Sequence, residues 1–421
     1  MKRLLLVLFA ALSATLASAQ VESDATLAAL IHENHFRTGV NTNPYEYLPA
    51  AETPVPKGYK AFYISHYGRH GSRSDWSGTT YDRILEQYTK AHEAGVLSPD
   101  GEKAFEVVAG VISKHNKMNG RLTARGAREH RAIANRMYTK YRKVFTKGSR
   151  RVRAVSSTVP RCIVSMAAFT GELLSLDPKM QVGWDTGEEF MKYCSSNDPS
   201  DVKKEAYKLI EAHAASHVPD TASFLARIFK DPAEGLKVVG SGTEMLDGTM
   251  AIAAITGAFD YDGFLLGLFN EEDLLHYSKN VSMNLFLRQC NSKEFGDRRM
   301  AVPEVNALVE DVVNKADEAI RTGDYAADFR FGHDYQLLAF CARIGVKGIG
   351  ERLDASECTS WPGYLYSPFA GNFQMIFYRN GDGDVIVKCY INERETTLLT
   401  LEGGPYYRWE DVKTAFNKFL K

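Results

Sequence analysis

The stretch "AFYISHYGRHGSRS", Ala61 to Ser74, decides how the chain is read. Ala61 to Ser65 is a short apolar run with the character of a buried β-strand, broken by Gly68 and Gly71. Behind it His70 stands between Arg69 and Arg73, where a third positive charge is discouraged. Two readings are open from this segment alone. It is either a solvated basic turn, or a loop whose arginines hold an anion within reach of the histidine.

Two later segments repeat the pattern of strand, polar end and helix. "RVRAVSS" (Arg151 to Ser157) is rich in β-branched residues and leads through a turn into the helical "RCIVSMAAFTGELL". "ADFRFG" (Ala327 to Gly332) runs directly into His333, Asp334 and the helical "YQLLAFCARIG". Between the first two lie helical patterns at Tyr81 to Ala94, around Phe105, Val108 and Ile112, and from Ala127 to Phe145. From about Asp177 to Gly323 the pattern is mostly helical, with few strand signals. Near the end, "NFQMIFY" and "VIVKCYI" flank "RNGDGD", a hairpin signal. Strands alternating with helices, interrupted by a helical block, predict an α/β core carrying an α-rich insertion. In open α/β sheets ligands bind at the carboxyl ends of strands, so the three polar strand ends are expected to converge.

Composition narrows the function. The 421 residues, 44% hydrophobic and 24% charged, suit a globular protein with a large core. Fifty-one Lys and Arg nearly cancel 52 Asp and Glu, which excludes the global basic field of a nucleic-acid binder. Any anion site must then be local. The N-terminus "MKRLLLVLFAALSATLASAQ" has a basic start, a short apolar run and Ala17-Ser18-Ala19, the pattern of an export signal cleaved near Ala19. That run is too short to span a bilayer, and no later segment is a candidate, so no stable membrane insertion is expected. The six cysteines show no metal-binding spacing and allow fifteen pairings, of which Cys341 with Cys358 is the nearest C-terminal candidate. His66 and His70 stand four apart, but on a strand and loop rather than a helix, without a third adjacent ligand. His213 and His217 share that spacing on a polar helix and read as solvent-facing. No metal and no cofactor are expected.

Taken together, Arg69, Arg73 and Arg161 offer planar multidentate donors suited to phosphate oxygens. Gly71 lets backbone amides approach an anion, and helices starting after Arg161 and around Asp334 would aim their positive ends at it. A neutral His70 could attack phosphorus, and Asp334 could protonate the departing alkoxide, its pKa raised beside the phosphate.

At this point "GRHGSR", "GRLTARG", "SSTVPRCIVSMAAF" and "FGHDYQLLAF" resemble the ordered motifs of the histidine acid phosphatases, in the branch with a large α insertion. The resemblance extends to "SPFAGNFQMIFYR" and is nearest to the multiple inositol polyphosphate phosphatase and phytase subgroup. It implies a phosphoglycerate-mutase-like, three-layer α/β core (59–176 and 324–421) behind an arm at 20–58, with an α-helical insertion at 177–323. It implies His70 as phosphate acceptor, Asp334 as proton donor, and Arg69, Arg73, Arg161 and His333 as the phosphate clamp. The implied substrate is a small-molecule phosphate ester, with inositol polyphosphates favoured; a broad acid phosphatase and a non-catalytic phosphate binder are the alternatives. Thr123 and Arg125 fall in a family motif, yet read equally well as helix-starting residues. Two positions depart from the subgroup: Gly332-His333-Asp334-Tyr335 stands where His-Ala-Glu is usual, and Asp75 where many relatives have proline. Lys203, Lys204, Lys208 and Arg227 are candidates for further phosphate contacts.

Overall fold

The computed structural model describes residues 21–75 and 79–420, so the export signal read at residues 1–19 lies outside the described residues. Among the described residues eight strands form one sheet: β1 (Lys60–Arg69), β2 (Arg151–Ser156), β3 (Gln181–Thr186), β4 (Ala327–Gly332), β5 (Asn372–Arg379), β6 (Val385–Ile391), β7 (Arg394–Thr396) and β8 (Tyr406–Arg408). Their order is β3-β2-β4-β1-β5-β6-β7, with β8 paired to β6. The first four strands of that order run parallel, and β5 onward is antiparallel.

β1 is buried from Tyr63 to Arg69, on both faces, as a central parallel strand must be. It does not break at Gly68: pairing with β4 continues to Arg69 opposite Gly332. β2 pairs with β4 as far as Ser156 opposite Phe331. Three strands therefore end at the same level, and the expected convergence is a consequence of this register. The hairpin is also present, with the Asn380 side-chain oxygen accepting from the Asp382 and Asp384 amides.

Helices cover both faces. On one, the helices Ala124–Lys147 and Pro160–Leu176 bury Ile133, Met137, Phe169 and Leu173 against Ile64, Ala154, Phe329 and Ile376. On the other, Pro303–Thr322, Asp334–Ile344 and Trp409–Lys418 pack Val305, Val309, Leu338 and Phe416 against Tyr63, Tyr67, Met375 and Phe377. This is a mixed three-layer α/β architecture with a helical addition. The addition has its own apolar cluster, built from Thr79–Glu93 and Pro99–His115 together with Thr221–Ile228, Pro232–Val239 and Gly242–Ala253.

Several sequence readings change here. Gln181–Thr186, in a stretch read as helical, is the edge strand of the sheet; mostly exposed and interrupted by Gly183, it lacks the apolar signature of a buried strand. The apolar clusters also cut the chain differently from a division at 177 and 323, since the sheet-covering helix Pro303–Thr322 lies between those numbers and the helices at 79–115 do not. All six cysteines are buried and free, so the Cys341–Cys358 bridge is not formed. Those two sit on different helices, Asp334–Ile344 and Ala355–Thr359. His213 and His217 are not simple surface groups: each ring packs against His276 with centroids 4.6 Å apart, and His217 Nε2 lies 2.6 Å from Asp273. Among the described residues no helix is long and apolar enough to cross a membrane.

Candidate active site

The backbone fixes His70 first. Its amide donates to the Gly332 carbonyl (2.9 Å), and its carbonyl accepts from the Ala370 amide (3.0 Å), so strand pairing carries one residue past β1. The following loop is pinned by the helix Ala124–Lys147. Thr123 caps that helix, accepting from the Gly126 amide, while its own amide and hydroxyl both donate to the Ser72 carbonyl. Helix and loop touch at two glycines: a Cβ on Gly71 would stand 2.5 Å from the Gly126 carbonyl oxygen. Buried Glu129 completes the attachment, accepting from the Ser72 amide (2.8 Å) and hydroxyl (2.7 Å). Sequence reading passed over Glu129, which looks like an ordinary charged helix residue. Thr123 is the helix start that was read, and Arg125 lies one turn before Glu129, 3.6 Å from it.

Arg69, His70, Arg73, Arg161, His333 and Asp334 are brought together at the ends of β1, β2 and β4. Arg69 is 1% exposed, and its guanidinium donates to the Asn41 carbonyl (2.7 Å) and the Ser367 carbonyl (2.9 Å) and pairs with Asp334 (3.0 Å). The ring of Phe369 lies 4.8 Å beneath it. Arg73 donates to the Ser74 carbonyl and stands 3.7 Å from Asp75, which also accepts from the Tyr81 hydroxyl. Arg161, one residue into its helix, donates to His333 Nδ1 at 3.3 Å. That bond fixes the tautomer of His333: with Nδ1 accepting, Nε2 carries the proton and donates to Ser157 Oγ at 3.2 Å. The His333 ring stacks on Tyr335 and meets His70 edge-on, at 5.7 Å between centroids.

Electrostatics follow from burial as much as from charge. His70 is held well below the usual imidazole range, first by burial and then by Arg69, Arg161, Arg73 and His333. The sequence reading credited the arginines; the larger cause is the removal of water. His333 is pushed down to about 3 by burial and then by Arg161, against the pull of Asp334. Arg69 falls to about 10, chiefly through burial. Burial would raise the pKa of Asp334, but Arg69, Asn41, His333 and Arg73 outweigh it, so the carboxyl lies below its ordinary value. Asp334 is therefore a carboxylate before any anion arrives. Three guanidinium groups thus surround two neutral histidines and one aspartate, which is a site prepared for a multiply charged anion.

Other candidates lie elsewhere. His66 is buried among Phe169, Phe329 and Phe331 and pushed down to about 3 by desolvation. Among the described residues no group of three or more His, Cys, Asp or Glu is arranged to hold a metal ion. Lys203, Lys204 and Lys208 project from the exposed side of the helix Ser200–Ala214, and Arg227 donates to the Gly267 carbonyl. Asn41, which touches both Arg69 and Asp334, has no local sequence signal at all.

Residues 68–392 match the family described as the Histidine phosphatase superfamily (branch 2), over well more than half of the chain. The chain belongs to this family. It is accordingly an enzyme of the phosphatase class. Similar solved structures include the multiple inositol polyphosphate phosphatase of Bifidobacterium longum in complex with inositol hexasulfate, with a TM-score of 0.69, 17% identity, and coverage of 90% of this chain and 97% of that one. A phytase of D. castellii aligns with a TM-score of 0.65 at 14% identity, over 96% and 88% of the two chains. The Hafnia alvei phytase in complex with myo-inositol hexakis sulphate gives 0.54 at 12% identity, over 87% and 98%. At such identities the likeness speaks for the histidine phosphatase fold. A search of curated proteins finds no match.

Proposed function

We propose that this histidine phosphatase hydrolyses phosphate monoesters through a phosphohistidine on His70, with inositol polyphosphates as its preferred substrates. One observation supports the mechanism above the others. Nδ1 of His70 lies 2.9 Å from the Gly71 carbonyl, which can only accept, so Nδ1 carries the proton and Nε2 keeps its lone pair. Burial beside three guanidinium groups keeps that lone pair free of a proton in mildly acidic solution.

The chemistry balances as two in-line displacements. Nε2 bonds to phosphorus as the ester P–O bond breaks, and the departing alkoxide takes a proton from Asp334. Water then attacks the phosphohistidine, losing a proton to Asp334 as the P–N bond breaks and inorganic phosphate forms. Arg69, Arg73, Arg161 and His333 hold the equatorial oxygens, which is the main demand of phosphoryl transfer. The phosphate dianion that enters also prepares the acid: its charge raises the carboxyl pKa that Arg69 and Asn41 hold down in the empty site.

The preference for inositol polyphosphates rests on the named neighbours, two of which were solved with sulfated inositols. A broad acid phosphatase is the second reading, favoured by Asp75, a carboxylate 43% exposed beside Arg73 that would repel a second phosphate. Export through the N-terminal signal fits either reading. Phosphate release from phytate and from an aryl phosphate, compared for the wild type and His70→Ala with and without chelator, separates these readings. The expected result is activity on both esters, lost in His70→Ala and indifferent to chelator. Equal activity in His70→Ala would end the mechanism, and hydrolysis of the aryl ester alone would favour the broad phosphatase.

A further inference from the structure

We infer that Asn41 is a positioning residue for the acid, fixing Asp334 so that its Oδ1 carries the proton given to the leaving group. The inference rests on the proposed role of Asp334. Its evidence is the hydrogen bonding around that carboxylate. Oδ2 accepts from Asn41 Nδ2 at 3.0 Å, and the Arg69 guanidinium faces it as an ion-pair partner at 3.0 Å. Among the described residues Oδ1 accepts from the Tyr335 amide alone, at 2.9 Å. A carboxylate oxygen has two acceptor directions in its plane; Oδ2 has one hydrogen bond and a guanidinium against it, whereas Oδ1 has one direction left and no ion-pair partner among the described residues. A proton placed on Oδ2 would confront an N–H donor, whereas on Oδ1 it occupies the vacant direction.

Asn41 reaches this position at a conformational cost. It belongs to the turn His35–Thr42, and the preceding residue, fully buried Val40, has φ 49° and ψ −92°. Positive φ at a β-branched residue is strained by roughly 1–3 kcal/mol and persists only where surrounding packing imposes it. Here Val40 is embedded in the apolar cluster of the sheet, and the Asn43 carbonyl accepts from the Phe369 amide, whose ring underlies Arg69. The strained turn delivers two groups of one residue to the site. The Asn41 carbonyl aims Arg69, and its amide aims Asp334.

The test is the alkaline limb of the kcat–pH profile for an alkyl phosphate, whose poor leaving group needs the protonated acid. Removing a donor from the carboxylate favours its protonated form, so Asn41→Ala should carry the limb upward by roughly one pH unit. Asn41→Asp keeps the shape, loses the donor and adds a like charge, and should carry it further in the same direction. It also serves if the alanine variant fails to fold. A fall in kcat with an unmoved limb in the variants that fold would mean a merely structural residue and would overturn the inference. Asp334→Asn separates the two levels of the argument. Should it retain the wild-type limb, the acid assignment fails and Asn41's role with it. Should it lose the limb while the Asn41 variants keep theirs, only the role of Asn41 fails.

Discussion

The same substitution, glycine to alanine, should have opposite effects at positions 71 and 171. A Cβ on Gly71 would lie 2.5, 2.7 and 2.8 Å from the oxygen, Cα and carbonyl carbon of Gly126, whereas ordinary contact begins at 3.4 Å. The shortfall is about 1 Å, and every clashing atom is backbone. The helix Ala124–Lys147 cannot yield cheaply, because Thr123 is tied twice to the Ser72 carbonyl and Glu129 twice to Ser72. Overpacking of this kind costs about 1–3 kcal/mol. With an unfolding entropy of about 2.1 cal/mol/K per residue over some 400 residues, 2 kcal/mol lowers Tm by about 2–3 °C. If instead the His70 loop gives way, a displacement near 1 Å costs roughly 100-fold in kcat. At Gly171, exposed within the helix Pro160–Leu176, nothing lies within 4 Å of the added carbon. There alanine should stabilise by about 0.5–1 kcal/mol through helix propensity, raising Tm by about 1 °C with kcat unchanged. Scanning calorimetry and steady-state kinetics on both variants measure these effects. Wild-type Tm and kcat in Gly71→Ala would refute the claim that close backbone contact between helix and loop sets the site.

Two further predictions follow from the acid and the buried histidines. Asp334→Asn should lower kcat by about 10²–10⁴-fold for an alkyl phosphate and far less for a p-nitrophenyl ester, whose leaving group needs no proton; equal losses on both would remove the acid role. His66, neutral when folded with its pKa near 3 against an ordinary 6.5, takes up a proton on unfolding, so its contribution is complete above pH 6.5 and declines as pH falls toward 3. At pH 5 that decline is about 2 kcal/mol, and His66→Phe, among its three phenylalanine neighbours, should flatten the fall in stability between pH 7 and pH 5 by that amount in denaturant titrations. Parallel stability curves for the two proteins would contradict it.

How much of this was legible beforehand depended on whether the signal was local. The polar ends of β1, β2 and β4 stood out because each followed a strand pattern, and parallel register brings such ends together of its own accord. β3 gave no signal because an exposed edge strand needs no apolar run. Asn41 could not be read, since a lone asparagine acquires meaning only through a contact with Asp334 across 293 residues. Glu129 was hidden by its helix, where a glutamate four residues after an arginine reads as a surface pair. The His213, His217 and His276 stack joins the end of the helix Ser200–Ala214 and the residues just past it to the helix Glu271–Gln289, and spacing along the chain could not anticipate the third ring.

The central claim is that His70 Nε2 bonds to phosphorus, and rapid quenching tests it most directly. Wild-type enzyme mixed with a ³²P-labelled phosphate ester and quenched in alkali within milliseconds should carry label that is stable to base, labile to acid, and confined to the peptide containing His70. His70→Ala should carry none. Turnover without labelled protein, or an equal label on His70→Ala, would contradict the account.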